Sequence, residues 1–273
     1  MVLPVLVALS MVAGDAKAAG SEADAKAGCS DAAAAAIALP ASGSLVRLGG
    51  TDATVTKRGE GESVTFSADG VLTIDTPLPV GYPDPTPPGA IDLKLYPTVR
   101  RAEVSGDVKN LSGGGGEGFW PLFRHIQRRD IAMTSPVEME YRKAEPKEGE
   151  QPAEAKGADK ETWTMAFLYR RVEQGDAGKD TADKRVTVTD TPEMLVISIG
   201  MKGDYSRDLV EEGKKQLDAW LATQTRFEKA GEARALYYHG PSMRPWRKWA
   251  EVQFPVREVA KPLATRPGET AAR

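Results

Sequence analysis

Two histidines and one carboxylate occupy positions in this sequence that could support chemistry. His125 and His239 are the only histidines, and an imidazole nitrogen of either could bind iron. Glu251 alternates with Trp249 and Gln253 in a stretch that predicts a strand, so the three side chains would share one face. A carboxylate beside aromatic groups can act as a general base. An iron site and a hydrolytic site are therefore both open at this point.

The sequence carries no motif of a common enzyme class beside these residues. It lacks the Gly-x-Ser-x-Gly elbow, the His-Glu-x-x-His zinc motif and a phosphate-binding loop. The run Gly113-Gly-Gly-Gly116 is not followed by Lys-Ser/Thr, and we interpret it as a flexible lead into a helix. We therefore predict a protein without catalytic residues, with a hydrolase that uses Glu251 as the alternative.

Composition and charge are typical of a soluble globular protein. Of 273 residues 41% are apolar and 27% are charged, which is enough to form a substantial core. The 36 basic and 39 acidic residues are mixed along the chain, and the net charge is −3. Because no basic face emerges, we predict no nucleic-acid partner.

Residues 1–19 are predicted to be a signal peptide. Residues 1–13 form an apolar run that is shorter than the roughly 20 residues needed to cross a bilayer, and Ala16-Lys-Ala18 follows as a small-x-small cleavage pattern. We therefore expect export to the periplasm or the extracellular space, without stable membrane insertion. The basic residues that usually open a signal peptide are missing.

Lipid attachment at Cys29 is the less favoured alternative for the N-terminal region. Ala27-Gly28-Cys29 has the small residues that precede a lipidated cysteine, but Lys26 stands where an apolar residue is expected. Mass spectrometry of the natively produced protein should give a chain that lacks residues up to about Ala18. An intact Met1 would contradict export, and a diacylglycerol mass on Cys29 would establish the lipoprotein.

The pattern along the chain predicts one main domain after a small extension. Asp69-Gly70 between two β-prone runs predicts a hairpin, and the six prolines of residues 77–89 exclude regular structure. We predict a disordered tether at 20–44, a β extension at 45–76, a Pro-rich linker at 77–90, the main domain at 91–257 and a disordered tail at 258–273.

Within the main domain the order strand, helix, strand, strand occurs twice, which suggests a duplication. Residues 143–160 and 174–183 lack large apolar side chains, and we expect loops there that add nothing to the core. The predicted elements are strands at 93–104, 131–142 and 162–171 with a helix at 117–128, then strands at 194–201, 233–239 and 249–256 with a helix at 206–222.

Three segments of the main domain resemble the SOUL family of haem-binding proteins. Gly118-Phe-Trp-Pro-Leu-Phe-Arg-His-Ile126 is similar to the family's Phe-x-x-Leu-x-x-Tyr-Ile helix, and Ile131-Ala-Met-Thr-Ser-Pro-Val137 to its Ile-x-Met-Thr-x-Pro-Val strand. Arg247-Lys-Trp-Ala-Glu-Val252 keeps the basic pair and the Glu-Val of Arg-Arg-Asn-Glu-Val but lacks the Asn. The resemblance covers roughly residues 91–256.

The resemblance implies an α+β fold in which two β-α-β-β repeats form a distorted antiparallel β-barrel with two surface helices. It also implies non-catalytic binding of haem, or of another amphipathic planar tetrapyrrole, in an apolar cleft. Relatives of this fold that are similar to GyrI include small-molecule hydrolases with a glutamate base, which keeps Glu251 as an alternative. A protein-interaction scaffold is the second alternative.

The resemblance also points to residues of the binding site. Phe119 and Phe123 would form the wall of the cleft, as would Met133 and Met165, although strand methionines are usually core residues. Arg244 stands where animal members have a lysine that reaches the haem propionates. The family supplies no shared axial histidine, so binding by apolar contact is favoured, with His125 and His239 as the candidate iron ligands.

Overall fold

The computed structural model describes residues 38–108, 116–143 and 161–259. Predictions for residues 1–37, 109–115, 144–160 and 260–273 lie outside these ranges. They include the signal peptide, Cys29, most of the Gly113–Gly116 run and the C-terminal tail. The helices are α1 (Gly116–Arg128) and α2 (Arg207–Leu221). The strands are β1 (Ser44–Gly50), β2 (Thr56–Arg58), β3 (Thr65–Ala68), β4 (Leu72–Ile74), β5 (Ala90–Tyr96), β6 (Val99–Asp107), β7 (Val137–Lys143), β8 (Glu161–Leu168), β9 (Gly178–Lys179), β10 (Thr187–Thr191), β11 (Met194–Lys202), β12 (Phe227–Lys229), β13 (Arg234–Tyr237) and β14 (Trp249–Glu258).

One large antiparallel sheet organises the fold. Its strand order is β1-β5-β11-β14-β13-β7-β8-β6-β10-β9, with β12 paired to β14. Both helices pack on one face, so the predicted α+β class is confirmed. The closed barrel is not formed by the described strands, because β1 and β9 end the path without pairing to each other. Closure needs paired edges, and β9 is only two residues long.

The prediction of one long strand at 93–104 is wrong, because the chain forms two strands there. β5 ends at Tyr96 and β6 begins at Val99, with Pro97 between them. Proline has no N–H to donate to a ladder, so the chain breaks at that point. β5 then pairs with β1 and β11, whereas β6 pairs with β8 and β10 in another part of the sheet.

The prediction that residues 174–183 form a loop that adds nothing to the core is also wrong. The segment contains the short strand β9, and it places Asp180 in the interior with 2% of its surface exposed. A carboxylate is buried in this way only when it is paired. Asp180 bonds His125 of α1, so this polar segment helps to hold the helix on the sheet.

The strand predicted at 131–142 begins only at Val137, and the other predicted elements lie within a few residues of their expected positions. The hairpin of β3 and β4 turns at Asp69 and Gly70, whose φ angles are +52° and +65°, as a type I′ turn requires. Ser206 caps α2 by accepting a hydrogen bond from the Leu209 N–H at 3.2 Å. Among the described helices none is both long and apolar enough to cross a membrane.

The Pro-rich segment of residues 77–89, here called the strap, crosses the sheet face opposite the helices. Its backbone is fixed at both ends, where Pro77 O accepts from Ser135 N–H and Gly89 N–H donates to Gly200 O. Gly200 has no room for a side chain, since a Cβ there would lie 2.4 Å from Thr86 O. The strap is therefore an integral layer of the domain.

Candidate functional site

A groove lies between the two helices on their face of the sheet. α1 packs on β6 and β8, and α2 packs on β11 and β14. The strand order places β13 and β7 between these two pairs, so both central strands remain between the helices. Their helix-side residues form the floor of the groove, and these are Val137, Met139, Tyr141, Ala235 and Tyr237. Met139 and Ala235 are buried, whereas the other three are half-buried.

The α1 wall of the groove consists of phenylalanines. The rings of Phe119 and Phe123 lie nearly parallel, 15° apart, with centroids at 5.6 Å. Phe119 also meets Phe167 of β8 edge-on at 5.3 Å, and Phe167 pairs with Val137 of the floor. Both wall rings are half-buried, so part of each remains accessible. The two predicted wall residues are therefore brought together on one surface.

The opposite wall comes from the chain that leads into α2. Tyr205 stacks on Tyr237 of the floor, with ring centroids 4.2 Å apart and planes 20° apart. Arg207, at the first position of α2, lies 5.4 Å above the ring of Tyr141. Its guanidinium is partly exposed and pairs with Glu161 at 2.6 Å. The groove thus joins an aromatic floor to an accessible cation, which suits an apolar plane that carries carboxylates.

Two small cavities lie elsewhere in the described part of the chain. Each has a volume of about 180 Å³, below the roughly 300–1,000 Å³ of typical small-molecule pockets. Both are formed against the strap, around Pro79 and Val80, and neither includes a groove residue. Both cavities are therefore distinct from the groove.

His125 lies on the other flank of α1, away from the groove. It follows Phe123 by two positions, which is about 200° around a helix at about 100° per residue. Its ring is fully buried, with Nδ1 2.5 Å from Asp180 and Nε2 2.6 Å from the Tyr169 hydroxyl. Both ring nitrogens are engaged in this cluster near β9.

The burial of this cluster favours a neutral imidazole. Burial lowers the pKa of His125 below its ordinary value, and Arg129 adds to this, although the hydrogen bond to Asp180 acts the other way. Burial opposes ionisation of Asp180, but the His125 hydrogen bond and Arg128 hold its pKa well below the usual range. Nδ1–H therefore donates to the Asp180 carboxylate, and Nε2 accepts from Tyr169.

Stability should consequently fall when the pH drops below about 6.5, the ordinary histidine pKa of the unfolded chain. Below this pH the unfolded chain binds a proton at His125 more readily than the folded chain does, because the folded protein has the lower His125 pKa. Acid therefore favours unfolding. Urea unfolding at pH values above and below this point measures the effect. His125→Gln should show a smaller loss on acidification than the wild type. Equal losses in both proteins would contradict the assignment.

The other predicted site residues lie at different places. His239 accepts from Trp249 N–H through Nδ1 at 3.1 Å and donates from Nε2 to Thr73 O at 2.8 Å. Arg244 is exposed and lies 5.3 Å from the ring of Trp246 in the loop after β13. Met133 is half-buried against the main core, whereas Met165 belongs to that core with 6% exposure.

Glu251 lies on the opposite face of the sheet and is fully buried. Lys94 donates to both of its oxygens, at 2.9 and 2.8 Å. Tyr238 and Ser198 also donate to it. Burial opposes ionisation, but the Lys94 charge and these hydrogen bonds hold the pKa of Glu251 below its ordinary value. The carboxylate is therefore a paired anion.

The strap covers this buried pair. Thr86 N–H donates to Glu251 at 2.9 Å, and Thr86 O accepts from the Trp249 indole at 2.7 Å. Lys94 donates its third contact to Asp84 O at 2.9 Å. The aromatic pocket expected around Glu251 is thus filled by the protein's own backbone. A second group of buried charges is present, in which Arg234 and Arg101 both pair with Glu138.

Sequence reasoning missed several residues of the groove. Tyr141, Tyr205, Tyr237 and Arg207 carry its floor and second wall, yet none of them belongs to the family motifs. The alternation of Val137, Met139 and Tyr141 along β7 was the available signal. That alternation marks a common face, but it does not show that the two helices pack on either side of this face.

The comparison with protein families gives one match. The model of the family described as SOUL heme-binding protein matches residues 86–255, which is more than half of the chain. The matched region includes the groove, both helices and part of the strap. No curated protein sequence matches the chain at a significant level.

Several solved structures show weak similarity. A structure of the EcmrR-DNA complex has a TM-score of 0.44 at 15% identity, and the match covers 62% of this chain and 57% of that one. An uncharacterized conserved protein from Listeria innocua gives 0.45 at 14%, over 63% and 94%. A hydrolase from Listeria innocua gives 0.43 at 11%, over 64% and 94%. Similarity at this level transfers no activity to the chain.

Proposed function

The chain belongs to the SOUL heme-binding protein family, and we propose that it binds haem or another amphipathic planar tetrapyrrole in the groove, without catalysis. The observation that supports this best is the set of half-buried aromatic rings between the helices, Tyr141 and Tyr237 of the sheet with Phe119 and Phe123 of α1. Flat rings bury a large apolar area against a flat ligand at a small entropic cost.

The residues present fit such a ligand. The nearly parallel rings of Phe119 and Phe123 offer a wall, and Tyr141 and Tyr237 offer a floor with polar tips. Arg207 stands at the rim beside Tyr141 and pairs with Glu161, so a ligand carboxylate would exchange one anionic partner for another. Bound haem would supply an iron centre. The protein residues would orient the plane and exclude water from it.

Arg244 remains a candidate partner for the ligand carboxylates. Its loop follows β13 directly after the groove residue Tyr237, and its side chain is exposed. Arg207→Ala and Arg244→Ala compare the two cations. The arginine that holds a propionate should weaken haemin binding on removal and leave binding of an esterified porphyrin unchanged. Haemin affinities that match the wild type in both variants would exclude a carboxylate contact from either residue.

The hydrolase alternative has less support. A general base must come within hydrogen-bond distance of a substrate proton. Glu251 is fully buried, is paired with Lys94 and lies beneath Thr86 of the strap. A substrate could reach it only after the strap had left the sheet.

A haemin titration of the purified protein tests the proposal. Binding in an aromatic groove should shift and sharpen the Soret band at micromolar haemin, with saturation at one ligand per chain. A variant with both Phe119 and Phe123 changed to Ala serves as the control, because it removes both rings of the wall, and circular dichroism checks that it is folded. A wild-type titration that cannot be distinguished from free haemin would refute the proposed function.

A further inference from the structure

Tyr169, His125 and Asp180 form a continuous chain of hydrogen bonds in the core. The Tyr169 hydroxyl lies 2.6 Å from His125 Nε2, and His125 Nδ1 lies 2.5 Å from the Asp180 carboxylate. The three residues are 1%, 0% and 2% exposed, in that order. The hydroxyl proton of Tyr169 is therefore held directly against a basic ring nitrogen, whose ring is held in turn by a carboxylate.

The protonation states along this chain suit transfer of that proton after oxidation. Burial raises the pKa of Tyr169 to about 12, so its hydroxyl keeps its proton at neutral pH. Burial lowers the pKa of His125, and Arg128 and Arg129 beside Asp180 add to this, so Nε2 carries no proton at rest. Only a strong acid can protonate such a ring. A tyrosine that has lost an electron is one, because its O–H bond is strongly polarised.

Other tyrosines of the described residues donate to a carboxylate or to a backbone carbonyl. These pairs are Tyr82 with Glu138, Tyr238 with Glu251, and Tyr205 with the Trp249 carbonyl. Both carboxylates are also paired with buried cations. Carboxylates held by cations and backbone carbonyls are weaker bases than a neutral imidazole. Tyr169 therefore has a better proton acceptor than these three.

Tyr169 also lines a cavity that opens at the surface. This cavity is one of the two of about 180 Å³ beside the strap, and its lining includes Arg170, Arg171 and Glu173. Arg171 and Glu173 are exposed, so a molecule in solution can enter, and two arginines against one glutamate favour an anion. The Tyr169 hydroxyl is too deeply buried for direct reaction with such a molecule. An electron, in contrast, can cross the short distance from the ring to the cavity.

We propose that Tyr169 is a redox-active tyrosine, which passes one electron to an anionic one-electron oxidant in this cavity. The Tyr169 ring loses the electron and the oxidant gains it. The hydroxyl O–H bond breaks as an N–H bond forms at His125 Nε2. The products are a neutral tyrosyl radical, an imidazolium paired with Asp180, and the reduced oxidant. This chemistry does not involve the groove, so it is independent of haem binding.

Rapid mixing with hexachloroiridate(IV), an anionic one-electron oxidant, tests the proposal when the frozen product is examined by EPR spectroscopy. The wild type should give the signal of a neutral tyrosyl radical, whose hyperfine splitting collapses in protein made with ring-deuterated tyrosine. Tyr169→Phe should lose most of this signal. Tyr82→Phe is the matched control, because it also removes one buried hydroxyl, and it should keep the signal. Circular dichroism checks that the variants are folded.

His125→Gln separates the proton transfer from oxidation alone. Glutamine can accept the Tyr169 hydrogen bond through its amide oxygen but cannot take the proton. The radical should therefore form at least about tenfold more slowly, which is about 1.4 kcal/mol in the barrier. The wild type should react more slowly in heavy water than in light water. A full tyrosyl signal in Tyr169→Phe, an unchanged rate in His125→Gln, or a tryptophan radical alone in the wild type would each overturn the proposal.

Discussion

Glu251→Ala should lower the free energy of unfolding by about 3–5 kcal/mol, because it leaves the Lys94 ammonium buried without its partner. Both side chains are fully buried, and Lys94 contacts both carboxylate oxygens. The substitution also removes the acceptor of Thr86 N–H, so the strap loses an attachment to the sheet. Urea unfolding with tryptophan fluorescence measures the change.

A double variant separates the ion pair from general packing. Lys94→Met combined with Glu251→Leu removes both charges and keeps the apolar volume, so it should be clearly more stable than Glu251→Ala alone. Glu103→Ala is a matched control, because this carboxylate pairs with Arg101 at a partly exposed position and should cost much less. Equal stability of Glu251→Ala and Glu103→Ala would contradict the importance of the buried pair.

Phe123→Ala should weaken porphyrin binding by about 1–3 kcal/mol if the ring is buried against the ligand. Its ring lies against Phe119 and is only half-buried, so its removal should cost the fold less than the loss of a core ring. Titration of haemin and protoporphyrin into the variant measures the loss. Both ligands should lose affinity equally, since a wall contact does not involve the iron.

Phe123→Leu provides the conservative comparison. Leucine keeps most of the apolar contact but loses the flat face, so its affinity should fall between those of the wild type and Phe123→Ala. Unchanged affinity in Phe123→Ala would place the ligand elsewhere on the molecule. A loss confined to haemin would instead link this wall to the iron and contradict a purely apolar contact.

Much of the fold could be predicted from local patterns in the sequence. The 3.6-residue periodicity and the Ser206 cap located α2, and the Asp69-Gly70 pair located the turn between β3 and β4. The errors came from interactions that a local pattern does not contain. Pro97 divided one predicted strand into β5 and β6, and Asp180 entered the core from a segment that looks entirely polar.

The candidate site was predicted only in part, for a related reason. Phe119 and Phe123 could be found because they lie within the motif and on one side of an amphipathic helix. Tyr141, Tyr237 and Arg207 are far apart in the sequence and share no motif. They meet because β13 pairs with β7 and because the helices pack on the outer strands, which are both properties of the assembled sheet.

The sequence alone determined the family, the α+β class and one wall of the groove, because these depend on motifs and on periodicities within single elements. The tertiary structure decided which polar groups are available. Glu251 and His125 look equally accessible in a linear sequence, but strand pairing and the strap surround one, and β9 with its following loop surrounds the other. Burial of a charge depends on what packs over it, and for both residues that cover comes from a distant part of the chain.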